Sequence, residues 1–390
     1  MVPAFLIYGV LYGTLFALMA MGLTLTYMTT KVPNFAYGSF VTIGLYTAYH
    51  FSTVYRINPY YSSIVAFVVA GLISVLMYIG ILRPLARRGT PLVALMIATF
   101  AVDIGFIGII GIYTDYMQAL YPYSYPKQLP DALPGDFSVF GIQGLFFVAP
   151  IVLAAITLSI YLLFTRTKFG IAMRASVENS SLARILGINV ERVNVVSWML
   201  AGGFAGVAGA LYTLWLPGGT NTGSDLIVDI FAASVLGGLT SIFGAVLGGL
   251  VIGASSDFVT TGLGQGLGYY GAAAIGLLSV MLAVLLFRWK AGVAKARAGA
   301  TWKGPLDRRL ILSGQGVLSF ILLVIGVYMF VEIATGFSTD IFVSGLVNGY
   351  GPDVQPYQPA IPLLIMVFTL LVIPQGIVTL KWRRPKKAKQ

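Results

Sequence analysis

Residues 92–113 read LVALMIATFAVDIGFIGIIGIY, 22 residues with one charge, Asp103. A helix rises about 1.5 Å per residue and a bilayer's hydrocarbon core is about 30 Å thick, so about 20 apolar residues cross it. The run is continuous, not alternating, which excludes a strand of a membrane β-barrel. Comparable runs lie at 4–29, 60–82, 146–165, 193–215, 270–287, 312–333 and 360–380. The first is too long for a cleaved leader and has no basic residue before it, so it reads as a mature span. Two further stretches are irregular. Residues 34–52 begin after Pro33 and carry Asn34, Gly38 and Gly44. Residues 226–258 exceed one ordinary span and are interrupted by Gly237, Gly238 and Gly244, which predicts a half helix, a turn and a second helix. The expected fold class is all-α, a polytopic helical integral membrane protein of about ten membrane segments, some broken or re-entrant.

Composition agrees. The 390 residues are 58% hydrophobic and 9% charged, against about a quarter charged in soluble domains, so neither a soluble globule nor a disordered chain fits. The 46 Gly and 18 Pro suit close helix packing and helix breaks. With no Cys, disulfides and Cys-based redox or metal sites have no residues to build them, and the single His, His50, argues against a His-ligated metal cluster or a Ser-His-Asp triad. No cofactor and no catalytic residue is expected.

The charge map sets orientation. Four segments hold 21 of the 24 Lys and Arg residues: three in Arg83–Arg88, five in Arg166–Arg192, seven in Arg288–Arg309 and six in Lys381–Lys389. By the positive-inside rule these face the cytoplasm, the C-terminus included, while the acidic loops 114–145 and 332–353 face outside. The net charge of +11 is then a topology signal with attraction to anionic membrane lipid, and no basic soluble domain exists to bind nucleic acid. With 166–192 and 288–309 both inside, 226–258 must start and end outside, as a hairpin or re-entrant pair around GGLTSIFG. Non-helical backbone at that depth is tolerated where protein or water covers it, which places the hairpin by the translocation path. The same count puts the N-terminus outside.

The loop 170–192, GIAMRASVENSSLARILGINVER, is too polar to span. Asn179 or Ser180 can cap a helix, Val177, Leu182, Ile185 and Leu186 supply apolar faces, and Gly187 stands where a helix end wants a left-handed residue. Two short surface helices are expected. An apolar ridge fringed by Arg174 and Arg184 suits a partner's groove or, equally, lipid headgroups.

This loop resembles the cytoplasmic coupling loop of branched-chain amino acid ABC transporter permeases, of the high-affinity leucine/isoleucine/valine type. The matching residues are Arg174, Ala175, Glu178, Ala183, Leu186, Gly187, Ile188 and Asn189, with Asn179 in the same stretch. VPNFAYGSFVTIG resembles the family's N-F-A-H-G stretch, with Tyr37 for the usual His. LRPL, at Arg83 and Pro84, resembles its R-P-V/L element. AASVLGGLTSIFGAVLGGL resembles its A-V-L-G-G-x-G-S segment at Gly237, Gly238, Ser241, Gly244, Ala245, Gly248 and Gly249. LLVIPQGI resembles its terminal V-M-P-x-G-I at Pro374 and Gly376. The resemblance implies a core at 1–258 with coupling loop 166–192. An inserted pair of spans with a basic inner loop follows at 259–355, of which about 268–355 has no counterpart, and then a terminal span and basic tail at 356–390. It implies separate ATP-binding cassette ATPase subunits, a second permease subunit or second copy, an extracytoplasmic substrate-binding protein and a plasma-membrane location. Substrates known in the family extend to urea, amides and other amino acids. Where the family often has Lys, two residues before Phe231, this chain has Asp229.

The sequence has no G-x-x-x-x-G-K-[ST], so the chain has no P-loop of its own. Path candidates are Asn34, Gly38, Asp103, Asp229, Gly237 and Gly238. A carboxylate at membrane depth costs about 2.5–3.5 kcal/mol on insertion scales, which makes Asp103 and Asp229 functional candidates. They would also serve a self-sufficient ion-coupled transporter or channel. Asp229 is expected near the outer mouth of the re-entrant element. Asn34 is expected to cap the helix after Pro33. Gly202, Gly206 and Gly209 have small-xxx-small spacing and read as helix-packing residues.

Overall fold

The computed structural model describes residues 4–264, save 123, 124, 126–128, 130–132, 134, 135 and 140, together with 362, 363, 365–367 and 369. The chain divides into a unit of residues 1–257 and 359–390 and a unit of residues 258–358, and nearly all the described residues belong to the first. The expected spans 270–287 and 312–333 and most of 360–380 lie outside the described residues.

The expected all-α class is observed. In chain order the helices are α1 (Ala4–Thr30), α2 (Tyr37–Thr53), α3 (Pro59–Met77), α4 (Arg83–Arg87), α5 (Leu92–Leu120), α6 (Leu145–Arg166), α7 (Lys168–Glu178), α8 (Ser180–Ile185), α9 (Val190–Tyr212), α10 (Thr222–Gly237) and α11 (Ile242–Gly264). A two-residue antiparallel hairpin, β1 (Ser138–Val139) and β2 (Ile142–Gln143), precedes α6. Among the described residues five helices are long and apolar enough to cross a membrane: Ile7–Thr30, Pro59–Arg87, Leu92–Leu120, Leu145–Arg166 and Val190–Tyr212.

Local chemistry explains the boundaries. Asn58 caps α3 by accepting from the Tyr60 N–H at 3.0 Å, with Pro59 in the first turn, where its missing donor costs nothing. A π turn, Tyr78–Leu82, joins α3 to α4. Pro84 follows it, and a proline cannot donate to the carbonyl four residues back, so the helix widens just before it.

Burial sorts the helices. Tyr61, Ile64, Val68, Leu72 and Leu76 form an exposed stripe on α3, as lipid requires. Its other face carries Ser62, Ala66, Ala70 and Ser74, which are small and buried against α9. A Cβ on Gly206 would run into the Ala66 carbonyl, and one on Gly209 into the Val41 carbonyl of α2. The glycines of α9 therefore pack helices, as their spacing predicts. α9 is held between α3 and α2, with α1 antiparallel to it: Tyr12 meets Trp215 edge-on at 4.4 Å, and Gly22 lies against Ala201.

α2 runs parallel to α5. The Phe35 N–H donates to Thr99 Oγ1 at 3.1 Å, and His50 Nδ1 lies 2.9 Å from the Tyr113 hydroxyl at the other end of α2. The break between α1 and α2 thus sits about two turns into α5, inside the bundle. Ser224, in the first turn of α10, bonds to Asp103, about three turns into α5. α10 also begins inside the bundle.

The helix–turn–helix expected over 226–258 is present as α10 and α11. Gly238 takes φ +94° in the turn, and Ser241 Oγ accepts from the Gly244 N–H at 3.1 Å at the start of α11. Gly237 lies against Gly244, so the two helices touch through backbone.

The two ends differ. At one end, α7, α8, α4 and the start of α9 gather. Glu191 pairs with Arg83 Nε at 2.8 Å and Arg87 Nη2 at 3.0 Å, so the basic segments 83–88 and 166–192 share an end. At the other end the acidic loop folds onto the segment after α9. Leu129 and Gly218 exchange N–H···O bonds of 2.7 and 3.2 Å, and the Leu133 N–H donates to Thr213 O at 2.7 Å. Asp136 accepts from the Leu145 N–H at the start of α6 and from the Tyr60 hydroxyl.

Candidate functional site

Two groups of candidate residues are described. The first is the turn from α6 to α9. Gly170 lets α7 fold back on α6, because a Cβ there would overlap the Leu163 and Phe164 backbone. Thr167 caps α7 by accepting from the Gly170 N–H at 3.1 Å. Met173 and Ser176 face inward, with Met173 Sδ 3.9 Å from the Ser197 hydroxyl on α9. Asn179 caps α8 by accepting from the Leu182 N–H at 3.0 Å, and Gly187 ends the turn at φ +82°, both as the sequence predicts. The Gly187 and Ile188 N–H groups donate to Arg184 O and Ala183 O, which satisfies carbonyls a helix end leaves bare.

Of the candidate contact residues, Arg174, Glu178, Asn179, Leu186 and Gly187 are exposed, and Ile188 is half-buried. Ala183 is buried and anchors α8. Ile185 and Leu186 are 81% and 69% exposed, and Leu182 and Ile171 are also open. These side chains form an exposed apolar ridge on an otherwise polar turn. Ile171 was not singled out in the sequence. Its exposure follows from α7 packing through Met173, which adjacent letters do not reveal.

The second group is interior. Asp103 is 4% exposed and accepts from Ser39 on α2 and from Ser224 on α10, the latter at 2.8 Å. The Gly223 N–H donates to Thr42 Oγ1 at 2.9 Å, and a Cβ on Gly38 would strike the Gly223 carbonyl. Asp103 and Gly38 thus fix the start of α10 against α2 and α5. Ser39, Thr42 and Ser224 were missed because a hydroxyl in an apolar run carries no signal until its acceptor is known. Asp103→Ala would take the acceptor from Ser224 and leave Ser39 only a long bond of 3.4 Å to the residue-103 carbonyl, at about 1–3 kcal/mol for a stranded hydroxyl. It should lower the melting temperature in detergent by several degrees, and Asp103→Asn, which keeps an acceptor oxygen, by less.

Two expectations are corrected. Asn34 does not cap α2. The cap position is Ala36, with no side-chain bond, and neither amide atom of Asn34, fully buried, has a hydrogen-bond partner among the described residues. The break is closed by Thr99 instead. Asp229 is not at a mouth: α10 begins within the bundle, and Asp229 lies further along it, 8% exposed, with Oδ1 unpartnered among the described residues. Gly237 and Gly238 form the α10–α11 turn, and among the described residues no hydrogen bond links them, Asn34 or Asp229 to the Asp103 carboxylate.

A bundle of long apolar helices, two shorter helices that start at depth, and a capped helical turn exposing an apolar ridge define a polytopic helical membrane protein. The chain matches the family described as the branched-chain amino acid transport system permease component over residues 5–287, more than half its length, and belongs to it. It is a transport protein, not an enzyme. It is 42% identical over 280 residues to the probable branched-chain amino acid transport permease protein LivH of Methanocaldococcus jannaschii, covering 71% of this chain and 88% of that one. It is 32% identical over 305 residues to the high-affinity branched-chain amino acid transport system permease protein BraD of Pseudomonas aeruginosa, covering 73% and 92%. Identity to the high-affinity permease protein LivH of Escherichia coli K12 is 28% over 260 residues, covering 63% and 82%. No solved structure matches the chain.

Proposed function

We propose that the chain is the path-forming permease subunit of an ATP-binding cassette importer for branched-chain or related small amino acids. The observation that carries this is the exposed ridge of Leu182, Ile185 and Leu186 on α8, beside Arg174 and Arg184. An ATPase subunit would seat there, the α7–α8 end would face the cytoplasm with the C-terminal tail, and the protein would lie in the plasma membrane. Closure of an ATP-bound ATPase pair would push α7 and α8. These connect directly to α6 and α9, and the Glu191 pairs with Arg83 and Arg87 would carry the push to α4 and α3. The helices would rock as rigid bodies, giving alternating access. A second permease subunit or copy completes the path, and an extracytoplasmic binding protein delivers substrate to the opposite end. The family and its relatives' names favour branched-chain amino acids over urea or amides.

The test is uptake of labelled leucine into proteoliposomes. ATP-dependent uptake is expected only when ATPases, partner permease and binding protein are all present. Uptake by the chain alone, driven by a proton or sodium gradient, would replace the importer with an ion-coupled transporter.

A further inference from the structure

α10 carries two carboxylates the bundle does not use for packing. A cavity of about 610 Å³ opens at its first turn, lined by Leu129, Pro217, Thr220, Asn221, Thr222 and Asp225 among others. That volume is in the range of small-molecule sites, about 300–1,000 Å³. Asp225 is the one charged residue among its lining residues, so the cavity is a poor host for an anion and a good one for a cation. Asp229 stands four residues on. Residues four apart share a helix face, so Asp229 lies one turn along the same side of α10, beyond the residues that line the cavity. It is 8% exposed, and its Oδ1 has no hydrogen-bond partner among the described residues.

A buried carboxylate oxygen without a donor costs free energy and calls for an explanation. Asp103 shows the contrast: both its oxygens are taken by serine hydroxyls, and it holds helices together. Arg83 and Arg87 are paired with Glu191 at the α7–α8 end of the bundle, not with Asp229. A primary ammonium group has three donors and a positive charge, which is what this oxygen lacks.

We propose that the Asp225–Asp229 face of α10 is a recognition site for the ammonium group of a zwitterionic substrate, with Asp225 meeting it in the cavity and Asp229 receiving it one turn deeper. This rests on the reading of the chain as a path-forming permease. It adds a demand on the substrate: the amino group is read, so a carboxylic acid of the same side chain is refused.

The test is carbodiimide labelling of the purified full chain in nanodiscs, mapped by peptide mass spectrometry. Dicyclohexylcarbodiimide reacts with carboxyl groups shielded from water and leaves a stable N-acylurea on the carboxyl carbon. Asp229 is expected to label, and Asp229→Asn to remove that label. At saturating concentration, L-leucine and 3-methylbutylamine should each reduce Asp229 labelling about tenfold, by occupying the site. 4-Methylpentanoate, which lacks the amino group, should not. Equal protection by 4-methylpentanoate, protection by sodium or potassium chloride alone, or no protection by any probe would each overturn the proposal. If Asp229→Asn does not fold, the wild-type protection pattern still decides. The labelling needs no ATPase, so a failure of ATP-driven uptake would sink the importer reading without touching this result.

Discussion

Gly206→Leu should leave the chain unable to form a monodisperse particle in mild detergent. Gly206 has backbone against it on two sides. Towards α3, an added Cβ overlaps the Ala66 carbonyl and reaches 2.8 Å from Ala70 Cβ. Towards α2, the neighbouring glycine, Gly44, itself has room for no Cβ because the Gly206 backbone occupies that space. In a membrane, burying apolar surface between helices gains little, since lipid is as apolar as leucine, and association rests on close packing. A side chain at this crossing separates three helices at once. Overpacking typically costs about 1–3 kcal/mol where side chains can yield, and backbone yields less. The control is Gly108→Leu on α5, where a Cβ would meet nothing within 4 Å. Fluorescence-detected size exclusion should show a sharp peak for Gly108→Leu and aggregate for Gly206→Leu. Equal profiles would mean that α9 is not clamped as described.

The reason such a position is legible from sequence is that close packing in a membrane needs small residues at regular spacing, and AGGFAGVAGA displays it. The long spans were legible for a similar reason: nothing but a lipid-crossing helix needs 20 apolar residues in a row. The edges were less so. α5 runs to Leu120, past the expected end at 113, because TDYMQAL is polar enough to stop a hydropathy reading but contains no helix breaker. The breaks at Pro33 and at Gly237–Gly238 were visible, because proline and glycine mark them locally. Their depth was not. That α2 and α10 begin inside the bundle is set by bonds from Thr99, Ser39 and Ser224, tertiary partners that a single chain of letters does not pair. The same limit explains Asn34. A cap is a local inference, and here the chain before α2 is tied instead by the Phe35 N–H to Thr99, far away in sequence, while the Asn34 side chain takes none of the helix's donors. In the turn after α6 the local rules held at Asn179 and Gly187. Ala183, grouped with contact residues by resemblance, is instead the anchor beneath them.

Changing Ile185 and Leu186 together to aspartate should abolish ATP-driven uptake while leaving the folded particle intact. Both side chains are mostly exposed, so their loss opens no cavity, and the change adds charge where water already reaches. The melting temperature should therefore stay close to that of the wild type. Against an ATPase groove the effect is different. A central apolar anchor is worth about 2 kcal/mol or more in an interface, and a carboxylate in its place must also be desolvated. Two such losses should bring uptake below about a tenth of the wild-type rate. Two further variants separate contact from architecture. Gly187→Val forces a β-branched residue into φ +82°, a strain of about 1–3 kcal/mol, and should weaken uptake with a modest loss of stability. Ala183→Leu pushes α8 off its seat and should lower both stability and uptake. If the double aspartate variant transports normally in the complete system, the ridge is not the ATPase contact. The drive would then have to enter the bundle at another surface of the same end, where the Arg83–Arg87–Glu191 cluster is the next to be changed.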